Sequence, residues 1–477
     1  MQIFRRLFGG NDKMYNLTTF FDVSFYGVIG DGMTDNTDAI AEIVRKIDEK
    51  GGGTLYFPPG EYVTGTIKLK SNMTLYLEGG AVILGSENTK KFPMITKEML
   101  PGYTREGHSA IIQAVHAKNV TITGRGTING RGQYWWEHHK NDHRPRTIQT
   151  ILCENVHISG ITITNSPMWT IHPICCSNVT IEGITIKNPS DSPNTDGINP
   201  ESCSNVHISN CHIDVGDDCI AIKSGTEEDL LQKEYPCKNI TITNCTMLNG
   251  HGGIVIGSEM SGGVRNVVIS NCVFDGTDRG IRIKTRRKRG GIVEDILINN
   301  ILMTDVIVPF AMNGYYQCGA QEGDMSLFSL EKLPVSDDTP IIRNISITNI
   351  RAKNVLASAG YLYGIPERPI EGLLFENIHI EMKETKNELR DKPIMAFHVK
   401  KTKGEGFYCA HIKDSIFSNI LIKTIKGPVF IIENSENINI SNLTGESKDK
   451  DFQLIKTSNV INVITDHMNT SENMVTK

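Results

Sequence analysis

One short phrase, an Asn followed by apolar, polar and apolar residues, returns along most of the chain, and its spacing leaves few folds open. It reads NVTITG from Asn119, NVHISG from Asn155, NVTIEG from Asn178, NVHISN from Asn205, NITITN from Asn239 and NVVISN from Asn266, with further copies from Asn344, Asn377, Asn419 and Asn437. Alternation of Val or Ile with Thr, Ser or His has the period of two that marks a half-buried β-strand. From 155 the phrase recurs at 178, 205, 239 and 266, steps of 23, 27, 34 and 27 residues. Self-similarity at about 20–50 residues marks stacked repeats, here with one such strand in each turn.

The expected fold is therefore all-β, a single-stranded right-handed parallel β-helix. A leucine-rich solenoid would need leucines at fixed offsets, and a propeller about four strands per 40 residues without parallel stacking. Neither pattern is present. The Asn that opens each unit tolerates left-handed backbone and bonds nearby main chain, so it is either a side-chain ladder in the making or simply a good turn residue.

One helix is expected. In DNTDAIAEIVRKIDEKGGG, Ile40, Ile43, Val44 and Ile47 recur at i, i+3, i+4 and i+7, with Asp35 or Asn36 as cap and Gly51 as stop. Laid across the first turn, it would shield the unpaired strand edge and the open end of the apolar core. No Pro/Gly/Ser linker divides the chain, so one domain is expected over 1–477. It comprises an N-terminal segment and capping helix (1–52), β-helix coils (53–465) and a frayed tail (466–477).

Charge and composition narrow the partners. With 49 Lys+Arg against 54 Asp+Glu, the net charge of −5 argues against a general grip on nucleic acid. No run approaches the roughly 18 consecutive apolar residues of a membrane helix, and the N-terminus lacks the apolar region of a secretory signal. The expectation is a cytoplasmic protein without membrane association, or a secreted one if the chain is a processed form. The 11 cysteines, odd in number and without paired CxxC spacing, are expected as buried thiols rather than a disulfide framework or a zinc site.

Stacking converts spacing into proximity, because residues one turn apart lie about 4.8 Å apart along the axis. On this reckoning SPNTDGI, VGDDCIAIKSG, NGHGGIVIGS and DRGIRIKTRR occupy four successive turns and line one groove. Asp196 and Asp217 are 21 residues apart, close to one turn. Asp217 and Asp218 both reach the groove only if the chain bends at Gly216, since consecutive strand residues face opposite sides. Three neighbouring acids repel, so at least one retains a proton near neutrality and serves as general acid. The others, ionised, activate water, which is the division of labour in an inverting glycosidase. The same spacing also suits a calcium site or an Asp-rich turn.

His251, in Gly250-His251-Gly252-Gly253, is placed to tune the acid, with glycines that let a polymer approach. Arg282 and Lys284, two apart and so on one strand face, suit a grip on a carboxylate, against the plainer reading of a solvated charge run. Arg286, Arg287, Lys288 and Arg289 are expected in a loop that favours anionic polymer or simply aids solubility. Trp135, Trp136 and Trp169 either stack on sugar or pack at a loop base. His138, His139 and His143 fit a loop over the groove better than a metal cluster. Cys219 should face inward.

In that order and on that spacing, SPNTDGI, GDDCIAIKSG, GHGG and RIK resemble the polygalacturonase family of glycoside hydrolases, which cleave pectin. The resemblance runs from about Val23 to Cys318 and includes FYGVIGDGMTDNTDAI, GTLYFPPGEYVTGTIKLKSNMTLYLEGGAVILGS and GTINGRGQYWW. Beyond about residue 320 only the β-helix pattern continues. The resemblance implies inverting hydrolysis without metal or cofactor, acting on an anionic oligo- or polysaccharide of the galacturonan type. By it Asp217 matches the proton donor, Asp196 and Asp218 the water-activating pair, and His251 the residue that assists the donor. Arg282 and Lys284 match the pair that binds the galacturonate carboxylate. Tyr315 matches the substrate-contacting tyrosine, with Tyr316 adjacent. Asn194, which opens the NTD motif, is expected to orient Asp196 or to contact sugar.

Insertions at 86–118, 131–149 and 314–340 favour exo attack on α-1,4-galacturonosidic links by walling off one end of the groove. The alternatives are a rhamnogalacturonan or other branched-pectin hydrolase with the same site, a calcium-aided polysaccharide lyase, and a β-helix that only binds glycans.

Overall fold

The computed structural model describes residues 19–470, apart from 103–106, 140–142, 230, 232–233, 321–323, 385–392, 400–401, 403 and 450–452. The repeated phrases are strands, and they stack in parallel. Ser177–Glu182 pairs with Ser204–Ser209, which pairs with Cys237–Thr243 and then with Val264–Asp275. Val179, Val206, Ile240 and Val267 fall in register and are fully buried, while the alternate residues face out. Repeated turn after turn, this alternation builds one apolar core running from Phe21 to Leu443 inside a right-handed parallel β-helix.

The opening asparagines do form a ladder. Asn119, Asn155, Asn178, Asn205, Asn239 and Asn266 all have φ of 56–59°. Each Nδ2 donates to the Oδ1 of the Asn one turn earlier at 2.8–3.1 Å, beginning with Asn119 to Asn72. Left-handed backbone turns the corner, and the amide stack satisfies the side chains that this conformation presents.

The expected helix spans Thr37–Glu49 and buries Ile40, Ile43, Val44 and Ile47 against the first coils, including Gly53–Phe57 and Ile67–Leu69. Its capping is shared. Asp35 Oδ1 accepts the Thr37 amide at 3.0 Å, whereas the Asn36 side chain ties Ile29 in place through its Oδ1 and Nδ2. At the other end, the strand Ile455–Thr470 extends past residue 465, so the first part of the expected tail is ordered sheet paired with Phe430–Ser447. Residues 471–477 and 1–18 lie outside the described residues. All the cysteines are unbridged thiols, most of them buried, and Cys219 faces the core as expected.

Candidate active site

The four motifs meet on one outer face. Ile198 stands opposite Ile220, so Asp196 lies level with Asp218, and Asp218 is opposite Gly252, which sets His251 directly over Asp217. Val255 opposite Arg282 and Gly257 opposite Lys284 carry the face one turn further. Gly216 and Asp217 form the corner between the strands His212–Val215 and Asp218–Ile222. A Cβ at Gly216 would stand 2.3 Å from the Ser192 carbonyl oxygen, so only glycine lets this corner press against the preceding turn.

Gly250 has a related purpose. Its φ is +68°, and a Cβ there would lie 2.6 Å from the Asp217 carbonyl oxygen. Gly250 therefore allows the turns to pack closely, while a Cβ at Gly252 would stand on the cleft side, 3.3 Å from Asp218 Oδ1 and 3.6 Å from Arg282 Cδ. The His251 amide donates to that same Asp217 carbonyl at 3.0 Å.

Oxygens of Asp196, Asp217 and Asp218 all lie within 4.8 Å of one another. His251 Nδ1 is 3.3 Å from Asp217 Oδ1, and the Asp218 amide donates to Asp217 Oδ1 at 2.8 Å. Lys284 Nζ and Arg282 Nη1 reach the two oxygens of Asp218 at 2.7 and 3.2 Å. Asn199 Nδ2 donates to Asp196 Oδ2 at 2.9 Å, and Lys223 Nζ lies 4.0 Å from that oxygen and 2.9 Å from Glu259 Oε2.

These surroundings split the acids. Burial, with the Asp217 charge second, raises Asp196 to about 8. Burial acts on Asp218 in the same sense, but Lys284, Arg282 and Lys223 outweigh it and hold this carboxyl well below the usual carboxylate range. The Asp217 side chain raises His251, partly offset by burial. Burial and Arg282 together push Lys284 down despite its bond to Asp218. The trio thus retains a proton at neutral pH while presenting an ionised carboxylate, the combination needed for acid and base work in one cleft.

Among the described residues, the trio is also the one group of His, Cys, Asp or Glu side chains with metal-binding spacing. Lys223, Arg282 and Lys284 stand against it, and a divalent cation would have to compete with those three charges.

The cleft has a volume of about 340 Å³ and is lined by all four expected catalytic residues together with Asn194, Arg282 and Lys284. Tyr315 is not in its lining. It is buried among Tyr361, Tyr363 and Ile394, and Tyr316 takes the cleft position, its ring 5.6 Å from the Arg282 guanidinium and 5.3 Å from Lys284 Nζ. Asn194 borders the cleft but holds Arg144 at 2.7 Å, leaving the orientation of Asp196 to Asn199.

The arginine run is more buried than a solubilising loop would be, and Arg289 lines the cleft. Arg286, Arg287 and Arg289 are buried, the first and last paired with Glu227 and Arg287 with Glu367, while Lys288 is exposed. Trp135 is buried against Phe92, and Trp136 donates to the Pro167 carbonyl. Trp169 lines the cleft with Lys223 and Arg146 over its ring, and His138 stacks on Tyr134.

Lys223 escaped sequence reasoning although it sits inside GDDCIAIKSG, on the same alternation as Ala221. Glu259 and Met395 carried no such signal. Met395 closes the cleft from a distant insertion, its carbonyl accepting Asn313 Nδ2 at 3.2 Å and its sulfur 3.1 Å from Arg282 Nη2. On the N-terminal side, Leu100 and Ile95 pack over the outward residues Ile151 and Ile174. None of these four lines the cleft, whose described covering residues are Met395 and the segment Tyr316, Cys318 and Gly319.

A parallel β-helix with three clustered acids, an imidazole and a buried cation pair on one outer face defines a β-helix glycosidase. The sequence matches Glycosyl hydrolases family 28 over residues 55–396, and the chain belongs to that family, the polygalacturonase-type glycoside hydrolases. The match continues beyond residue 320, where the motifs alone had given only repeat pattern. A probable polygalacturonase of Vitis vinifera is 36% identical over 75% of this chain and 73% of its own length. The structure of a hyperthermoactive exopolygalacturonase from Thermotoga maritima is similar at 30% identity and a TM-score of 0.66, covering 76% of this chain and 87% of that one. A family 28 exopolygalacturonase from Yersinia enterocolitica, 23% identical, has the same fold over 93% of this chain and 78% of its own, with a TM-score of 0.71.

Proposed function

We propose that the protein hydrolyses α-1,4-galacturonosidic bonds of short oligogalacturonides from a chain end, by single displacement and without a metal ion. The observation that carries this reading is the meeting of the acidic trio with Arg282, Lys284 and Tyr316 in one buried cleft. Cations beside the reacting bond suit a sugar that bears a carboxylate. Asp217 is assigned as donor to the leaving oxygen, with His251 beside it, and Asp196 and Asp218 hold the attacking water. Because the three carboxyls lie within 4.8 Å, one proton belongs to the set, and its resting place on Asp196 does not fix which carboxyl delivers it.

Exo attack is supported by Met395, Tyr316, Cys318 and Gly319 at the cleft wall and by a cleft volume of about 340 Å³, near the lower end of ligand sites at about 300–1,000 Å³. Close carboxylates are more usual for retention, since inverting pairs stand roughly 6.5–9.5 Å apart. Inversion is proposed because a third acid is available to hold water.

A time course on galacturonate oligomers of defined length, with an EDTA arm, tests the reading. Saturated monomer from the first minutes, unaffected by EDTA, with the β-anomer first in the NMR spectrum, is expected. Unsaturated, EDTA-sensitive products would instead mean a lyase. Cleavage confined to branched pectin fragments would move the substrate and keep the site.

A further inference from the structure

Residues 393–396 divide the outer face that carries the cleft. Met395 borders the cleft, whereas Ile394 and Ala396 pack with Tyr361 and Tyr363 on the far side. Beyond this strap lies a second chamber of about 540 Å³, floored by Tyr361, Tyr363 and Tyr408. Arg282 is opposite Ala311, Ala311 opposite Tyr361, and Tyr361 opposite Tyr408. The tyrosines thus stand two and three turns past the cleft cations, about 10 and 14 Å along the axis.

The two chambers have opposite chemistry. The cleft is lined by Lys223, Arg282, Lys284 and Arg289, whereas no Lys or Arg is among the described residues lining the second chamber. Its titratable side chains, besides the tyrosines, are Glu405, Glu433, His398 and His411. Burial raises Glu405 and lowers His411, so both lean toward their neutral forms. Glu405 also meets Lys426 at 3.5 Å, and Glu433 accepts the Tyr408 hydroxyl at 2.9 Å. Tyr361 and Tyr408 stack with centroids 4.6 Å apart, and Tyr363 stands edge-on to both. The Thr402 hydroxyl also lines the chamber; it is buried, the residue only 7% exposed, and has no partner among the described residues. A buried hydroxyl left unpaired is unfavourable and calls for a ligand group or water.

We propose that this chamber is a second glycan-binding site, specific for a neutral sugar unit. Tyr408, the least buried of the three tyrosines, offers apolar ring surface to a pyranose, while Glu433, Glu405 and Thr402 bond its hydroxyls. Among the described residues lining the chamber, a uronate carboxylate would meet two glutamates and no Lys or Arg, and Lys426 is already paired with Glu405.

Saturation-transfer NMR of the full chain tests this independently of catalysis. The probes are an equimolar mixture of the methyl glycosides of galactose, glucose, mannose, rhamnose, arabinose and xylose and, separately, methyl galacturonoside. Transfer to at least one neutral glycoside is expected, retained in Asp217→Asn, abolished in Tyr408→Ala and reduced about threefold or more in Thr402→Val. If Tyr408→Ala does not fold, the isosteric Thr402→Val decides. No transfer to any neutral glycoside overturns the proposal, as does transfer indifferent to Thr402→Val. So does a galacturonoside signal that Thr402→Val diminishes.

Discussion

Lys284 Nζ lies 2.7 Å from Asp218 Oδ2, both side chains buried, so the lysine expected to hold a substrate carboxylate holds one of the protein's own. Binding and acid chemistry are coupled through this pair. Lys284→Ala should therefore raise KM and lower kcat together, instead of weakening binding alone. It removes the foremost of the cations that depress Asp218, so the acid limb of the pH profile should move up. A carboxyl with a depressed native pKa contributes stability that is present above its unfolded value near 3.8 and lost as pH falls through the native one. The variant should forfeit part of that at neutral pH, about 3 kcal/mol or less because Arg282 remains. Urea unfolding at pH 7 and a kcat/KM profile check this; a KM change with an unmoved profile contradicts it.

Removing charge at neighbouring acids should separate catalysis from folding. Asp217→Asn and Asp218→Asn should both lower turnover by orders of magnitude. Asp218→Asn also strands Lys284 and Arg282 in a buried site and should destabilise by about 3–5 kcal/mol. Asp217 is one-fifth exposed, and its ion-pair partner His251 is half exposed, so Asp217→Asn should leave the melting temperature nearly unchanged. Equal melting temperatures for the two variants would refute the assignment of Asp218 as the counter-ion of the cation pair.

Asp196 has the opposite sign. Its carboxyl is raised from 3.8 to about 8, so between those values the native state holds a proton that the unfolded state has released, and stability falls as pH rises. Asp196→Asn removes this penalty and can still accept the Asn199 bond. The variant should be inactive yet melt higher than the parent, with the gain growing from pH 5 to pH 8. Thermal melts across that range measure it, and a gain that shrinks with pH would exclude a raised Asp196.

What the sequence made legible follows from periodicity. The Asn ladder, the helix over Thr37–Glu49 and the shared face of Asp196, Asp217, Asp218, His251, Arg282 and Lys284 all depend on local alternation or on one-turn stacking, which spacing encodes. Tyr315 was preferred to Tyr316 because both follow the end of the strand Val308–Asn313, where alternation stops specifying direction. Met395 and Glu259 reach the cleft through long-range closure, and no periodic signal marks such residues. The arginines at 286, 287 and 289 read as a loop favouring anionic polymer or aiding solubility, and their burial was not legible because their partners, Glu227 and Glu367, lie far away in sequence.

The contact between His251 and Asp217 can be read directly. With Asp217 present, His251 titrates above its ordinary 6.5. In Asp217→Asn the leading cause is gone and burial remains, so the imidazole should titrate lower than in the parent. Any stability the pair adds is fully present below about 6.5 and lost as pH rises through the native value. Imidazole nitrogen NMR over pH 5–9 follows the shift, and an unmoved His251 would dissociate the two residues.

The Asn ladder offers a test of what holds the coils in register. Asn178 has φ of 56°, donates to Asn155 and accepts from Asn205, each at 3.0 Å. Asn178→Gly keeps the left-handed backbone and loses two exposed amide bonds, so a loss of about 1–2 kcal/mol is expected. Asn178→Ala adds the left-handed penalty of roughly 1–2 kcal/mol for a residue with a Cβ. Alanine should therefore be the more destabilising substitution, although it is the better β-former in an unstrained strand. Chemical denaturation of the two variants gives the order directly. If glycine proved as costly as alanine, the stacked amides rather than the backbone corner would carry the stabilisation at this turn.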